Sequence, residues 1–192
     1  FDVSASDVDG DELEYFVIVT GEAEGSFEGP VLTVVPNEDY NGTVQLTVYV
    51  SDGDLTSNTT FLLTVNPVND APVIDSISVQ DIDEDSTFIY TLSATDVDGD
   101  ELTFSATVDG NAIVVVDGSD LTITPNSNYN GDIAVDVSVD DGQYTDAISF
   151  ALTVNPVNDA PVITSAPSAT TDEDTSVEIT LEGSDVDGDA LT

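Results

Sequence analysis

The chain has 192 residues, 40 of them acidic and none of them Lys, Arg or His, for a formal net charge of −40. Without cationic side chains it has nothing to set against phosphates or an anionic lipid surface, and no apolar run approaches the roughly 18 residues of a membrane span, so nucleic acid and membrane insertion are excluded. The absence of Cys and His also removes disulfides, thiol nucleophiles, Cys/His zinc sites and any Ser–His–Asp triad.

In chain order, the first recognisable element is an acidic loop, SDVDGDEL at Ser6–Leu13, which places Asp7, Asp9 and Asp11 at alternating positions. It returns as TDVDGDEL at Thr95–Leu102 and as SDVDGDAL at Ser184–Leu191, each time 89 residues on. PNEDYNG at Pro36–Gly42 matches PNSNYNG at Pro125–Gly131, and VNPVNDAPVI at Val65–Ile74 recurs unchanged at Val154–Ile163. The sequence therefore reads as a tandem array with a period of 89 residues. On that phasing residues 1–69 are the C-terminal part of a first repeat, 70–158 a complete repeat and 159–192 the N-terminal part of a third. The chain opens mid-pattern, so it is expected to be an internal piece of a longer array. Pro67 and Pro156 stiffen the joins.

Within the complete repeat the hydrophobic period is two. Strands are expected near Val73–Val79, through Phe88, Tyr90, Leu92 and Ala94, and over Leu102–Val108, Ile113–Val116 and Leu121–Thr124. Two longer ones follow, carrying Ile133, Val135, Val137 and Val139, then Ile148, Phe150, Leu152 and Val154. Turn signals separate them, and the VDGN segment at Val108–Asn111 is expected to close a hairpin. Nothing reads as a helix. About seven short strands per 89 residues is the pattern of an immunoglobulin-like β-sandwich, so the fold class is all-β. The composition, 40% hydrophobic, is sufficient for real cores and argues against disorder. Tyr40 and Tyr129 read as turn-packing aromatics, and Phe and Tyr fall mainly on core-phased positions.

A folded chain with this much uncompensated negative charge repels itself, and cations must come from outside. Asp96, Asp98 and Asp100, grouped around Gly99, offer hard oxygen ligands at a density that suits Ca²⁺. An EF-hand is rejected, because strands flank the loop and no Glu stands at its twelfth position. Further candidates are the DED triplets at Asp83–Asp85 and Asp172–Asp174, the Asn69–Asp70 and Asn158–Asp159 pairs, and the turns at Asp52 and Asp141. Asp7, Asp9, Asp11, Asp52, Asp70, Asp83, Glu84 and Asp85 all find the same residue 89 positions on. Other acids drift: Glu22 faces Asn111, Asp54 faces Gln143 and Asp75 faces Thr164. A diffuse demand for surface charge would not favour the motif positions, so the recurring acids are ligand candidates. Paired carboxylates can support glycoside hydrolysis, but with acids everywhere and no concave fold signal an enzyme is not expected.

DEDST, LSATDVDGDELTFS, VSVDDG and LTVNPVNDAPV, in that order, resemble the bacterial cadherin-like repeats of large secreted adhesins, and more distantly animal cadherin repeats. The resemblance covers the whole chain. It implies a secreted or cell-surface location and calcium at the joint between consecutive repeats. The early Glu of that family is matched by Glu84 and Glu173, the linker by Asn69–Asp70 and Asn158–Asp159. Its Asp-x-Asp is matched by Asp7 with Asp9, Asp96 with Asp98, and Asp185 with Asp187; its later Asp is matched by Asp52 and Asp141. Pro67 and Pro156 stand where the animal linker carries a further acid, and Asn37–Asp39 and Asn126–Asn128 match the late acidic loop only loosely. One or two ions per joint are therefore expected rather than three. The function implied is a calcium-rigidified spacer of an adhesin or surface fibre, its partners being neighbouring repeats of the same chain. The alternatives are a polysaccharide-binding module and homotypic adhesion to like repeats on other cells.

Overall fold

A computed structural model describes residues 4–165 and 168–192, and the chain divides into two compact units, Phe1–Asp70 and Ala71–Thr192. In the first unit β1 (Glu14–Thr20), β4 (Gly42–Ser51) and β5 (Thr56–Val65) form an antiparallel sheet in the order β1-β4-β5, while β2 (Ala23–Glu28) and β3 (Val31–Pro36) pair as a hairpin. Val44, Leu46 and Val48 point inward from β4 and are buried, as is Leu32 of β3.

The second unit opens with β6 (Val73–Ile74), which pairs with β9 (Ala94–Thr95). One face of its sandwich is the sheet β10-β13-β14-β7, from β10 (Thr103–Val108), β13 (Gly131–Asp140), β14 (Thr145–Asn155) and β7 (Gln80–Asp83). The other is β11-β12-β8, from β11 (Ala112–Asp117), β12 (Asp120–Pro125) and β8 (Phe88–Thr91). The alternation of β-branched and polar residues in β13 and β14 puts Ile133, Val135, Val137, Val139, Leu152 and Val154 into the core. Leu121 and Ile123 meet them from β12, and Phe88 packs on Phe150 with ring centroids 6.2 Å apart. Beyond the sandwich, β15 (Val162–Ile163) pairs with β16 (Gly183–Ser184). No helix occurs among the described residues.

Three expectations need correction. The strand expected through Phe88, Tyr90, Leu92 and Ala94 is two, β8 and β9, which lie in different sheets. The segment expected to be one strand near Val73–Val79 is the two-residue β6, and β7 follows separately; it runs parallel to β14, pairing Leu152 with Gln80 and Asn155 with Asp83. The VDGN segment does not close a hairpin: β10 pairs with β13 and β11 with β12, so Val108–Asn111 carries the chain from one sheet to the other. Asp109 fixes that crossing, accepting hydrogen bonds from the Asn111 N–H and from the Ala134 N–H of β13. The tyrosine turns behave as expected. Tyr129 donates to the Asp132 carbonyl at 2.9 Å and Tyr40 to that of Thr43 at 3.0 Å. Each ring closes over a glycine of positive φ, Gly131 (131°) or Gly42 (138°), where an added Cβ would stand 3.2 Å or 2.9 Å from the phenol oxygen. Only glycine fits both the dihedral and the space.

Candidate metal centre

The parallel β7–β14 pairing is what creates the site. It brings the Glu84 N–H to the Asn155 carbonyl at 2.9 Å, just where β14 runs out into the second VNPVND linker. Glu84 is the one buried acid among the described residues, 4% exposed, and its Oε1 accepts the Val157 N–H at 2.6 Å. A buried carboxylate at the mouth of a linker, with no cationic side chain in the chain, requires a reason.

The linker supplies further candidate ligands. Asn158 turns its side-chain amide back onto the Asp159 carbonyl at 2.9 Å, a clasp that Asn69 repeats on Asp70 at 3.0 Å. The Asp159 N–H donates to Asp187 Oδ2 at 2.6 Å, bringing the Asp-x-Asp loop against the linker. Asn158, Asp159, Asp185 and Asp189 line one hollow beside Val162 and Ile163. Asp159 Oδ2 is buried there and has no hydrogen-bond partner. Burial raises the Asp159 pKa above its ordinary value, and the neighbouring carboxylates of Asp187, Asp85, Glu84 and Asp185 raise it further. The charge of four further carboxylates thus reaches Asp159, which has an orphaned oxygen. An isolated arrangement of this kind is costly, and a cation fitted among the oxygens removes the cost.

The Asp-x-Asp loops share one internal design. Asp96 Oδ1 accepts the N–H groups of Asp98 and Gly99 at 2.9 Å and of Asp100 at 3.2 Å. Asp7 holds Asp9, Gly10 and Asp11 in the same way, and Asp185 holds Asp187 and Asp189. The first Asp therefore commits Oδ1 to folding its own turn and keeps Oδ2 for something else. In the second copy Asp96 Oδ2 is buried without a partner, and Asp96, Asp98 and Asp100 each bring an oxygen within 4.8 Å of the other two. That cluster could hold a metal ion.

Asp52 and Asp141 occupy equivalent turns. Asp52 accepts the N–H groups of Leu55 and Asp54, which hold its carboxyl below the usual range, and Asp141 accepts those of Gln143 and Tyr144. Asp52 shares one hollow with Asp7 in the first unit. Glu173, the counterpart of Glu84, is exposed on its turn, because no described strand plays for it the part that β14 plays for Glu84. Reading by motif named Asp85 only as a member of the DED triplet and left Asp189 out of the ligand set. Asp189 was recoverable as the third acid of its DVDGD loop. Asp85 and Asp174, 89 residues on, share a backbone conformation of positive φ, 60° and 59°.

The two pKa shifts set a pH dependence. For Asp159 the folded value is raised, so the folded state holds a proton that the unfolded state has lost, and stability falls as pH rises through the window above 3.8. For Asp52 the folded value is lowered; its contribution is complete above 3.8 and is lost only as pH falls further. In EDTA, lowering the pH from 7 into that window should therefore raise the melting temperature. With a saturating divalent ion the gain should vanish, since protons and metal compete for the same oxygens; thermal melts at the two pH values in both buffers check this.

Residues 68–155 match the family described as the cadherin-like domain, and residues 1–65 match the bacterial Ig domain. Chitinase A of Pseudoalteromonas piscicida is 32% identical over 157 residues, which is 80% of this chain but 19% of that protein's length. Among solved structures, human protocadherin-24 EC1-2 (form II) is similar over 80% of this chain and 86% of that chain, at 18% identity and a TM-score of 0.53. Protocadherin gamma B2 extracellular cadherin domains 1-5 are similar over 96% of this chain and 42% of that one, at 20% identity and a TM-score of 0.51. At these identities the structural likeness concerns the fold. Residues 68–155 are a cadherin-like domain, preceded over residues 1–65 by an immunoglobulin-like domain of the bacterial kind.

Proposed function

We propose that this chain is a calcium-stiffened spacer segment of an extracellular bacterial protein. The observation that carries the reading is Asp159 Oδ2, buried and unpartnered among the carboxylates of Glu84, Asp85, Asp185 and Asp187 in a chain with no cationic side chain. Carboxylate and amide oxygens without nitrogen or sulfur select a hard cation, and an irregular set drawn from three separate segments suits the flexible coordination of Ca²⁺ better than the strict octahedron of Mg²⁺. Glu84, the Asn158–Asp159 linker, Asp185 and Asp187 would hold the ion, which supplies the positive charge the chain lacks. Asp96, Asp98 and Asp100 form a second candidate ion site within the second unit.

Such a linkage ties the end of one sandwich to the opening loop of the next. In a repeat array, stiffness is a property of the junctions, and an ion shared across each junction converts a repelling hinge into a strut. Cadherin-like and bacterial Ig domains are typically extracellular or on the cell surface, and no helix among the described residues is long and apolar enough to cross a membrane. A large adhesin is the reading we favour for the parent protein. The likeness to chitinase A supports a second: a spacer within a secreted enzyme that acts on a polymer, the catalytic domain lying elsewhere.

Titration calorimetry on the full chain tests the metal assignment. Calcium should bind, magnesium should bind more weakly, and Asp98→Asn with Asp187→Asn should weaken calcium at least tenfold while leaving the fold intact. Unchanged binding in that double variant would remove the Asp-x-Asp loops from the ligand set.

A further inference from the structure

The first unit carries a surface unlike the rest of this chain. Although acids make up 40 of the 192 residues, β1, β4 and β5 together contain one, Glu14, at the start of β1. The inward positions of that sheet are fixed by Val44, Leu46 and Val48, so Tyr49, Thr47 and Gln45 of β4 point outward. Their cross-strand partners on the same face include Phe16 and Ile18 of β1 and Asn58, Thr60 and Leu62 of β5. Phe16 and Tyr49 stack with centroids 4.8 Å apart and planes 3° from parallel. Phe16 nonetheless stays 45% exposed, Ile18 52% and Leu62 67%. Tyr49 covers one side of the Phe16 ring, and because β1 is the edge of the sheet no further strand of it covers the other. Thr47 and Thr60 hydrogen-bond to each other at 3.0 Å between them.

The corresponding face of the second unit is built differently. Ser105 and Ser138 stand where Phe16 and Tyr49 are, and Asp132, Asp136 and Asp140 replace Thr43, Thr47 and Ser51. The scaffold tolerates an acidic, aromatic-free face there, so the neutral aromatic face of the first unit is not a requirement of the fold.

We infer that this face binds a linear, uncharged polysaccharide. An aromatic ring and aliphatic patches offer apolar surface to the C–H faces of pyranose rings, and Thr, Gln and Asn between them offer donors and acceptors to hydroxyls. Charge selects the occupant. A basic protein would be drawn to the acidic surface elsewhere, while a polyanion or a second copy of this chain would be repelled by a body of net charge −40. Size agrees: three strands about 4.8 Å apart, over the seven residues of β1 that pair with β4, at about 3.4 Å each, give a strip of roughly 300 Å². That is well below the ~800 Å² per partner of a stable protein interface. It is wide enough for one glycan chain.

The test is retention of the full chain, in calcium, on insoluble chitin and cellulose, with affinity electrophoresis in soluble β-1,3-glucan and mannan, and alginate as the anionic control. The native chain should be retained by at least one neutral polymer and not by alginate. Phe16→Ser with Tyr49→Ser installs the residues the second unit already carries, and Thr47→Asp installs its acid. Each should weaken retention at least tenfold with the melting temperature little changed. Absence of retention on all four neutral polymers would overturn the inference, as would retention indifferent to both variants. Sedimentation showing self-association of the native chain, lost in the variants, would reassign the face to a second copy.

Discussion

Chelating calcium is expected to lower the melting temperature of the chain by more than ten degrees at low ionic strength. An ion that binds only the folded state stabilises it by about 2.7 kcal/mol at a hundredfold excess over Kd, and 1 kcal/mol moves the midpoint of a domain of about 100 residues by roughly 4–8 °C. Extracellular calcium modules have Kd values of about 10⁻⁴–10⁻³ M, so about 10 mM calcium reaches that excess at the tighter end. The competing explanation is a surface adapted to salt, in which acids merely need screening. The two separate cleanly, because screening by monovalent salt is generic whereas a site of oxygens around Asp159 Oδ2 requires a divalent ion. Melting that follows NaCl and ignores calcium would favour the screened surface.

The second large effect is a reversal of sign. Glu84→Gln keeps an oxygen able to accept the Val157 N–H and removes one negative charge beside Asp159. In EDTA that substitution should stabilise the chain, since it relieves repulsion in a buried place. In calcium it should destabilise it by several degrees, because a charged ligand is lost from the ion. A purely structural role for Glu84 predicts the same sign in both buffers, and paired thermal melts distinguish the two.

Much of this was legible in the residues themselves. The strict alternation around Ile133–Val139 and Ile148–Val154 corresponds to β13 and β14, with their apolar residues turned into the core. The DVDGD loops announced their turn by Asp and Gly spacing, and each folds around its first carboxylate. What escaped was non-local. β7 is four residues, two of them acidic, and it becomes a strand only because β14 offers it an edge 72 residues away. The resemblance picked Glu84 out of the DED triplet, but its burial depends on that same pairing and not on the triplet. The VDGN turn has the chemistry of a hairpin and of a crossover alike, so sequence could not choose between sheets. Phe16 and Tyr49 sit in strands whose inward phase is set by their neighbours, and only the register shows that both rings face out.

The central claim, that calcium converts repelling joints into struts, is tested most directly by small-angle scattering on a chain of three or more complete repeats. With calcium, the maximum dimension should grow linearly with repeat number and its distribution should narrow. In EDTA the carboxylates of Glu84, Asp159, Asp185 and Asp187, and their equivalents at each joint, should push apart, giving a shorter and broader distribution. Equal dimensions and equal linearity in the two buffers would contradict the account.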